Sequence, residues 1–193
     1  TQAKLLDDYL TNKGLEVFLT REPGGPKISE KIRNILLDKT NREMLPETEV
    51  LLYMASRSQH TGEWIIPLLQ AGNIIICDRY YDSTIAYQGA ARKIKRNIID
   101  SITKFATFDL VPDVTILIDL PAEIGLARIS KESADRLESE SIQFHKRVRE
   151  GFLEIAKSEK QRYIVIDGKK NIQDIHKKIR EEIKNILEGY YEI

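Results

Sequence analysis

Cysteine is nearly absent: Cys77 stands alone among 193 residues. One thiol excludes an internal disulfide framework and a cysteine-based zinc site. The three histidines, His60, His145 and His176, show no metal-ligand spacing and read as surface or helix-face residues. An excess of either charge is missing too. Thirty Lys plus Arg balance thirty Asp plus Glu, whereas a dedicated nucleic-acid binder carries a basic excess. No apolar run approaches the roughly 20 residues of a membrane span, and no leader pattern opens the chain. Aromatics are only 7%, but apolar residues reach 41%, enough for a full core and too much for disorder. The expectation is a soluble cytoplasmic protein without nucleic-acid or membrane partners. With no repeat, low-complexity tract or linker, residues 1–193 read as one domain.

What is present is an alternation of strands and helices. Leu5, Leu6, Tyr9 and Leu10 follow helical spacing, and Gly14 sits where that helix would end. Residues 15–20 alternate as a strand, and Pro23-Gly24-Gly25-Pro26 must be a loop. A helix over 29–37 turns Ile32, Ile35 and Leu36 inward. A long helical segment runs over 46–71, with Pro67 placed to kink it. Residues 73–77, 114–119 and 163–167 are short β-branched runs, as expected of strands buried on both faces. Phe144, Val148, Phe152 and Ile155 make one helical stripe; Ile172, Ile175, Ile179, Ile183 and Ile186 make another. This order predicts an α/β fold with a parallel sheet covered on both faces. Ligands of such sheets bind at the carboxyl edge, where Asp78 and Asp119 end two strands.

Four strings can carry chemistry there. The first is Asp78-Arg79-Tyr80 with Ser83, Thr84, Tyr87, Gln88 and Gly89 after it. An acid at a strand end can help hold Mg²⁺, and the adjacent Arg offers a forked donor set suited to phosphate. The hydroxyl, phenol and amide groups one or two turns later can read a sugar and a base. The second string, Arg21-Glu22-Pro23-Gly24-Gly25, combines a stiff turn with glycines that let a ligand approach the backbone. In the third, Tyr53 and Arg57 share a helix face one turn apart, an aromatic ring beside a guanidinium. The fourth, residues 128–140, interleaves Arg128, Lys131 and Arg136 with acids and serines. Lacking an apolar stripe, it is either a solvated loop or a lid that brings cations to a phosphate.

In their order and spacing, Thr-Arg-Glu-Pro-Gly-Gly (20–25), Arg57, the 78–89 string and Asp-Arg-Leu-Glu (135–138) resemble bacterial thymidylate kinases over essentially the whole chain. The resemblance implies a P-loop NTPase-like α/β/α fold with a five-stranded parallel sheet, a lid at about 128–140, and a homodimer. It implies transfer of the γ-phosphoryl of ATP to dTMP, giving dTDP, with Mg²⁺. By the same resemblance Arg79 and Arg33 grip the dTMP phosphate, and Tyr53 stands where an aromatic ring, usually Phe, stacks on thymine. Arg57 and Gln88 read the base, while Ser83, Thr84 and Tyr87 line its pocket beside Glu22 and Pro23. Tyr87 crowds out a ribose 2′-hydroxyl. Asp78 is the acid near the metal, Arg128 packs on adenine, and Arg136 or Lys131 serves the lid. Pro26 stands where relatives often carry Thr, and Lys131 where their lids often carry Arg.

The family's first strand and its Gly-x-x-x-x-Gly-Lys-Ser/Thr loop do not occur in the chain. Residues 1–6 resemble the helix after that loop, which puts Thr1 beside the ATP phosphates. About fifteen further residues ahead of Thr1, one strand and a phosphate loop, are the expectation. The alternatives are another nucleoside or nucleotide kinase, or a binding module without catalysis.

Overall fold

The computed structural model describes residues 1–130 and 134–188. Helix α1 (Gln2–Thr11) buries Leu6 and Leu10, and Gly14 takes up a left-handed conformation at φ +82° just beyond it. Strand β1 (Val17–Arg21) leads through the Pro-Gly-Gly loop to α2 (Lys27–Leu37). Helix α3 (Pro46–His60) opens with Pro46 in its first turn, followed by Glu47 and Glu49. Proline costs no hydrogen bond there, and acids suit the positive helix end. A wide π-type turn (Thr61–Ile65) connects α3 to α4 (Ile66–Gln70). The irregularity expected at Pro67 therefore falls one turn earlier.

Strand β2 (Ile74–Asp78) feeds α5 (Tyr81–Thr84), which passes into a second π-type turn (Ile85–Ala91). There follow α6 (Arg96–Thr107), β3 (Thr115–Asp119), α7 (Ala122–Ala127), α8 (Ile142–Ser158), β4 (Tyr163–Asp167) and α9 (Ile172–Leu187). Strand β1 pairs parallel with β2, Val17 opposite Ile74 through Arg21 opposite Asp78. Strand β3 pairs parallel with β4, Thr115 opposite Tyr163 through Asp119 opposite Asp167. Among the described residues these are two parallel pairs rather than one continuous sheet. No helix among them is long and apolar enough to cross a membrane.

Both pairs pack on one cluster. Leu6, Leu10, Ile166, Ile175, Ile179 and Ile183 are buried beneath α1 and α9, with Ile74, Ile76, Val114 and Ile116 half-buried against them. On another face Tyr81, Ile85, Ile99, Ile155 and Tyr163 form a second cluster. The isoleucine stripe of α9 is a packing face at its centre only, because Ile172 is 54% exposed and Ile186 also reaches solvent. Ile35 likewise departs from expectation: it is 48% exposed, and Leu36 and Ser29 are the fully buried residues of α2, with Ile32 half-buried.

Candidate functional site

A cleft of about 170 Å³ opens at the carboxyl edge of β1 and β2. Residues from the β1 loop, α2, α3, the stretch 79–88 and 135–138 line it. Its two ends differ sharply in polarity and burial.

At the inner end lies a closed hydrogen-bond network. Arg57 is 1% exposed, and its Nε donates to Glu22 Oε2 at 2.7 Å. Its Nη1 donates to Thr84 Oγ1 at 2.9 Å, which leaves Nη2 without a partner among the described residues. The other Glu22 oxygen meets His60 Nδ1 at 3.1 Å, and His60 Nε2 meets Thr20 Oγ1 at 2.8 Å. A neighbouring hub forms on Glu49, also buried, in the first turn of α3. Its carboxylate accepts from Gln88 Nε2 at 2.8 Å, Arg92 Nη2 at 3.1 Å and Arg136 Nη1 at 2.7 Å. Burial pushes the Glu49 carboxyl up. The hydrogen bonds from Arg92 and Gln88 and the two guanidinium charges outweigh it and hold the group below the usual glutamate range. Tyr53, on the same helix face, has its phenol pushed far up, first by burial and then by Glu49.

The outer end is open. Asp78 and Arg79 are both exposed where β2 ends. Arg79 adopts φ +69°, a left-handed backbone that a non-glycine residue seldom takes and that gathers at functional sites. No described carboxylate forms an ion pair with it. Its guanidinium lies over the Tyr87 ring, 5.5 Å from the centroid, with only a long 3.5 Å hydrogen bond to the phenol. Tyr87 is braced from behind by Phe144 and Phe152, both edge-on at about 6 Å. Arg33 borders the same end and donates to the Pro23 carbonyl at 2.6 Å.

The loop beneath the cleft is held by Glu30, which accepts from Gly25 N at 2.7 Å and from Arg21. A Cβ at Gly25 would lie 2.8 Å from His60 Cδ2, so the loop needs glycine to pass over the buried histidine. Gly151 on α8 is similarly constrained: a Cβ there would meet Ala90 Cβ at 2.7 Å and the Ala86 Cα at 3.1 Å, both in the wide turn that carries Tyr87 and Gln88.

The described part of the 128–140 stretch is not a wholly solvated loop. Ala134 and Leu137 are buried. Asp135 and Glu138 each accept the other's backbone N–H, at 2.8 and 2.9 Å, a reciprocal cap. Arg136 is drawn inward, donating to the Leu36 carbonyl as well as to Glu49, with its Nη2 buried and unpartnered. Arg128 lies elsewhere, donating to the Gly168 carbonyl after β4. Lys131 lies outside the described residues. A larger depression of about 280 Å³, lined by Tyr81, Ile85, Thr103, Thr107 and Val111, sits apart from these groups. Among the charges bordering it, Arg96 pairs with Asp100 and Lys104 with Asp109, while Glu159 pairs with Arg162 behind it.

The family model for thymidylate kinase matches residues 1–179. A thymidylate kinase from Carboxydothermus hydrogenoformans is 48% identical over 190 residues, covering 98% of this chain and 90% of the relative. One from a Sulfurihydrogenibium species is 50% identical over 184 residues, with 95% and 90% covered. The crystal structure of thymidylate kinase from Ehrlichia chaffeensis superposes with a TM-score of 0.77 at 33% identity, covering 95% of this chain and 89% of that one. The chain belongs to the thymidylate kinase family.

Of the residues singled out by the thymidylate kinase resemblance, the cleft gathers Glu22, Pro23, Arg33, Tyr53, Arg57, Arg79, Ser83, Thr84, Tyr87 and Gln88. It does not gather Asp78, Arg128, Arg136 or Thr1; Thr1 is exposed at the start of α1. Three polar residues escaped the sequence reading: His60, expected at a surface or helix face but fully enclosed, and Glu49 and Arg92. The signal for two of them was available. Glu49, Tyr53, Arg57 and His60 recur at intervals of four, four and three, so the face read as Tyr53 and Arg57 extends one turn both ways.

Proposed function

We propose that the chain transfers the γ-phosphoryl of ATP to dTMP, giving dTDP. The observation that carries this reading is the contrast within one cleft: hydrogen-bonded, fixed side chains inside, and outside an arginine with no ion pair among the described residues. Thymine enters the inner end against Tyr53. Arg57 offers its free Nη2 to the C4 carbonyl, and Gln88 meets the N3 proton. Ser83 and Thr84 border the sugar, and the braced Tyr87 ring leaves no room for a 2′-hydroxyl. The phosphate reaches Arg79 and Arg33 at the open end, where guanidinium forks suit its oxygens.

Phosphoryl transfer asks for positioning and charge neutralisation rather than covalent chemistry by the protein. ATP lies with its adenine at Arg128 and its phosphates toward the Thr1 end of α1. Residues 128–140 close over it as a lid, Lys131 included; Arg136 takes part by exchanging Glu49 for phosphate. The donor set suits Mg²⁺: Asp78 is an exposed carboxylate at the strand end, with no ion pair among the described residues. The described residues hold no cluster of three potential metal ligands, and Mg²⁺ typically takes one or two carboxylates with phosphate oxygens and waters. When bound, the ion neutralises charge on the phosphoryl oxygens.

The same reading includes a single five-stranded parallel sheet. Ile74, Ile76, Ile116 and Ile164 of the two pairs pack on one cluster yet stay half-buried, as strands flanking a common neighbour would. It also includes a cytoplasmic homodimer, supported by exposed apolar residues on α3 and α6: Leu51, Ile98, Phe105 (83% exposed) and Phe108 just beyond. The test is phosphorus NMR of full-length protein with ATP, Mg²⁺ and dTMP. Stoichiometric dTDP and ADP are expected; no dTDP, or thymidine consumed as readily as dTMP, would overturn the assignment.

A further inference from the structure

A glutamine is an ambiguous base reader. Its amide carries an acceptor and a donor on one carbon, and turning it over exchanges them. Gln88 therefore reads pyrimidine N3 only if something decides which end faces the cleft. Uracil and thymine present an N–H at that position, whereas cytosine presents a lone pair.

We infer that Glu49 makes this decision: its buried carboxylate holds the Gln88 NH₂ group and so presents the Gln88 carbonyl oxygen to the base, setting the enzyme against cytosine. The inference rests on the reading of Gln88 as a base contact. Three observations carry it. Gln88 Nε2 and Glu49 Oε1 are 2.8 Å apart with both side chains buried. An ionised carboxylate only accepts, so its partner on Gln88 must be the NH₂ group and cannot be the oxygen. Finally, Arg92 Nη2 and Arg136 Nη1 donate to Glu49 Oε2, at 3.1 and 2.7 Å, and Arg92 Nε makes a longer 3.3 Å bond to Oε1, which keeps the carboxylate ionised and its orientation fixed. Among the described residues none donates to Gln88 Oε1, which is left for a ligand. Glu49 is thus a positioning residue that acts through Gln88.

The same geometry says what a neutral Glu49 substitute would do. In Glu49→Gln the two shorter arginine contacts, from Arg136 Nη1 and Arg92 Nη2, would claim the new amide's oxygen because they can only donate, and the longer Arg92 Nε bond would be given up. Its NH₂ group would then face Gln88, which would turn its own oxygen inward and its NH₂ outward. The cleft would present a donor where it had an acceptor, matching cytosine N3.

The experiment measures Kd for dUMP and dCMP by calorimetry. This pair differs at the base edge alone and leaves the thymine methyl out of account. In Glu49→Gln the preference for dUMP over dCMP should fall by on the order of tenfold or invert. Gln88→Leu should also narrow it, and adding Glu49→Gln to Gln88→Leu should change the ratio no further. Weaker binding of both nucleotides in Glu49→Gln, with the ratio kept, would overturn the inference, since a merely structural residue behaves so. An unchanged ratio in Gln88→Leu would instead overturn the base-reading role beneath it. Should Glu49→Gln fail to fold, the unaltered protein still decides. The Gln88 side-chain amide protons should be protected from solvent exchange before any nucleotide is added; exchange at free-amide rates would refute the lock.

Discussion

The two ends of the cleft hold their arginines in opposite ways. Arg57 is enclosed, with Nε and Nη1 committed to Glu22 and Thr84. Arg79 is exposed, on a left-handed backbone, with a tyrosine ring beneath it and a long hydrogen bond. The difference follows from what each end must recognise. A neutral base is told from another by single hydrogen bonds, and these discriminate only when the protein's groups cannot rearrange. A phosphate dianion is attracted by charge from almost any orientation, so its partner can wait unpaired in solvent at little cost.

Breaking the inner end should therefore damage the protein, and breaking the outer end only the binding. Arg57→Ala strands the Glu22 carboxylate in the core and should cost about 3–5 kcal/mol of stability. Chemical denaturation would show it, and a loss below 1 kcal/mol would mean the inner network is not held together as described. Arg79→Ala should leave stability within about 0.5 kcal/mol. It should nevertheless weaken dTMP binding by about 1.5–3 kcal/mol, the worth of a charge-assisted hydrogen bond, while thymidine binding stays as it was. Calorimetry with both ligands separates phosphate recognition from a general loss.

Gly151→Ala sharpens the comparison from behind. The added methyl would press on Ala90 and Ala86, at about 1–3 kcal/mol for overpacking. Because that turn carries both Tyr87 and Gln88, base and phosphate affinity should fall together; an unchanged melting temperature would show that the turn gives way freely.

The smallest effect is one of pH. Burial lowers the His176 pKa below its ordinary 6.5, and the Arg180 charge lowers it further. A histidine depressed in the folded state favours the neutral form, so its contribution is complete above pH 6.5 and is lost as pH falls through the lowered value. Glu49 is depressed too, but its contribution fades only below the ordinary glutamate range. Between pH 7.5 and 5.5 the melting temperature should drop slightly, and His176→Leu should remove part of the drop while nucleotide binding stays constant. A drop equal in both proteins would discharge His176.

The outer end was legible in the sequence because it is made of neighbours. Asp78, Arg79, Ser83 and Tyr87 stand in one short string after a strand, where chain order and spatial order nearly coincide. The strands were legible for the same reason: β-branched runs at 73–77, 114–119 and 163–167 declare themselves locally, within a residue of the observed strands. The pairing within the inner end was not: Glu22, Tyr53, Arg57 and Gln88 stand out singly, but their partners do not. Glu22 meets Arg57 across 35 residues, and Glu49 meets Arg136 across a still longer span. A buried charge also looks in sequence like any other polar residue on a helix. Ile35 erred in the opposite direction: periodicity places it on a face, but only the packing of α2 on its neighbours says how wide that face is.

The wide turn over Ile85–Ala91 has a consequence that resembles gearing. An ordinary helix advances each residue by 100° about its axis, so an added residue shifts everything beyond it relative to everything before it. Before the turn, Asp82 faces inward to Arg162, away from the cleft; within it, Tyr87 and Gln88 point into the cleft; beyond it, Arg92 reaches back to Glu49. A single-residue deletion there would leave a perfectly acceptable helix and would cost little in hydrogen bonds. It would still rotate Arg92 off Glu49 while Asp82 kept its grip. The same side chains would be present in the same order, out of phase, much as a lock whose pins are all cut correctly but one tooth along.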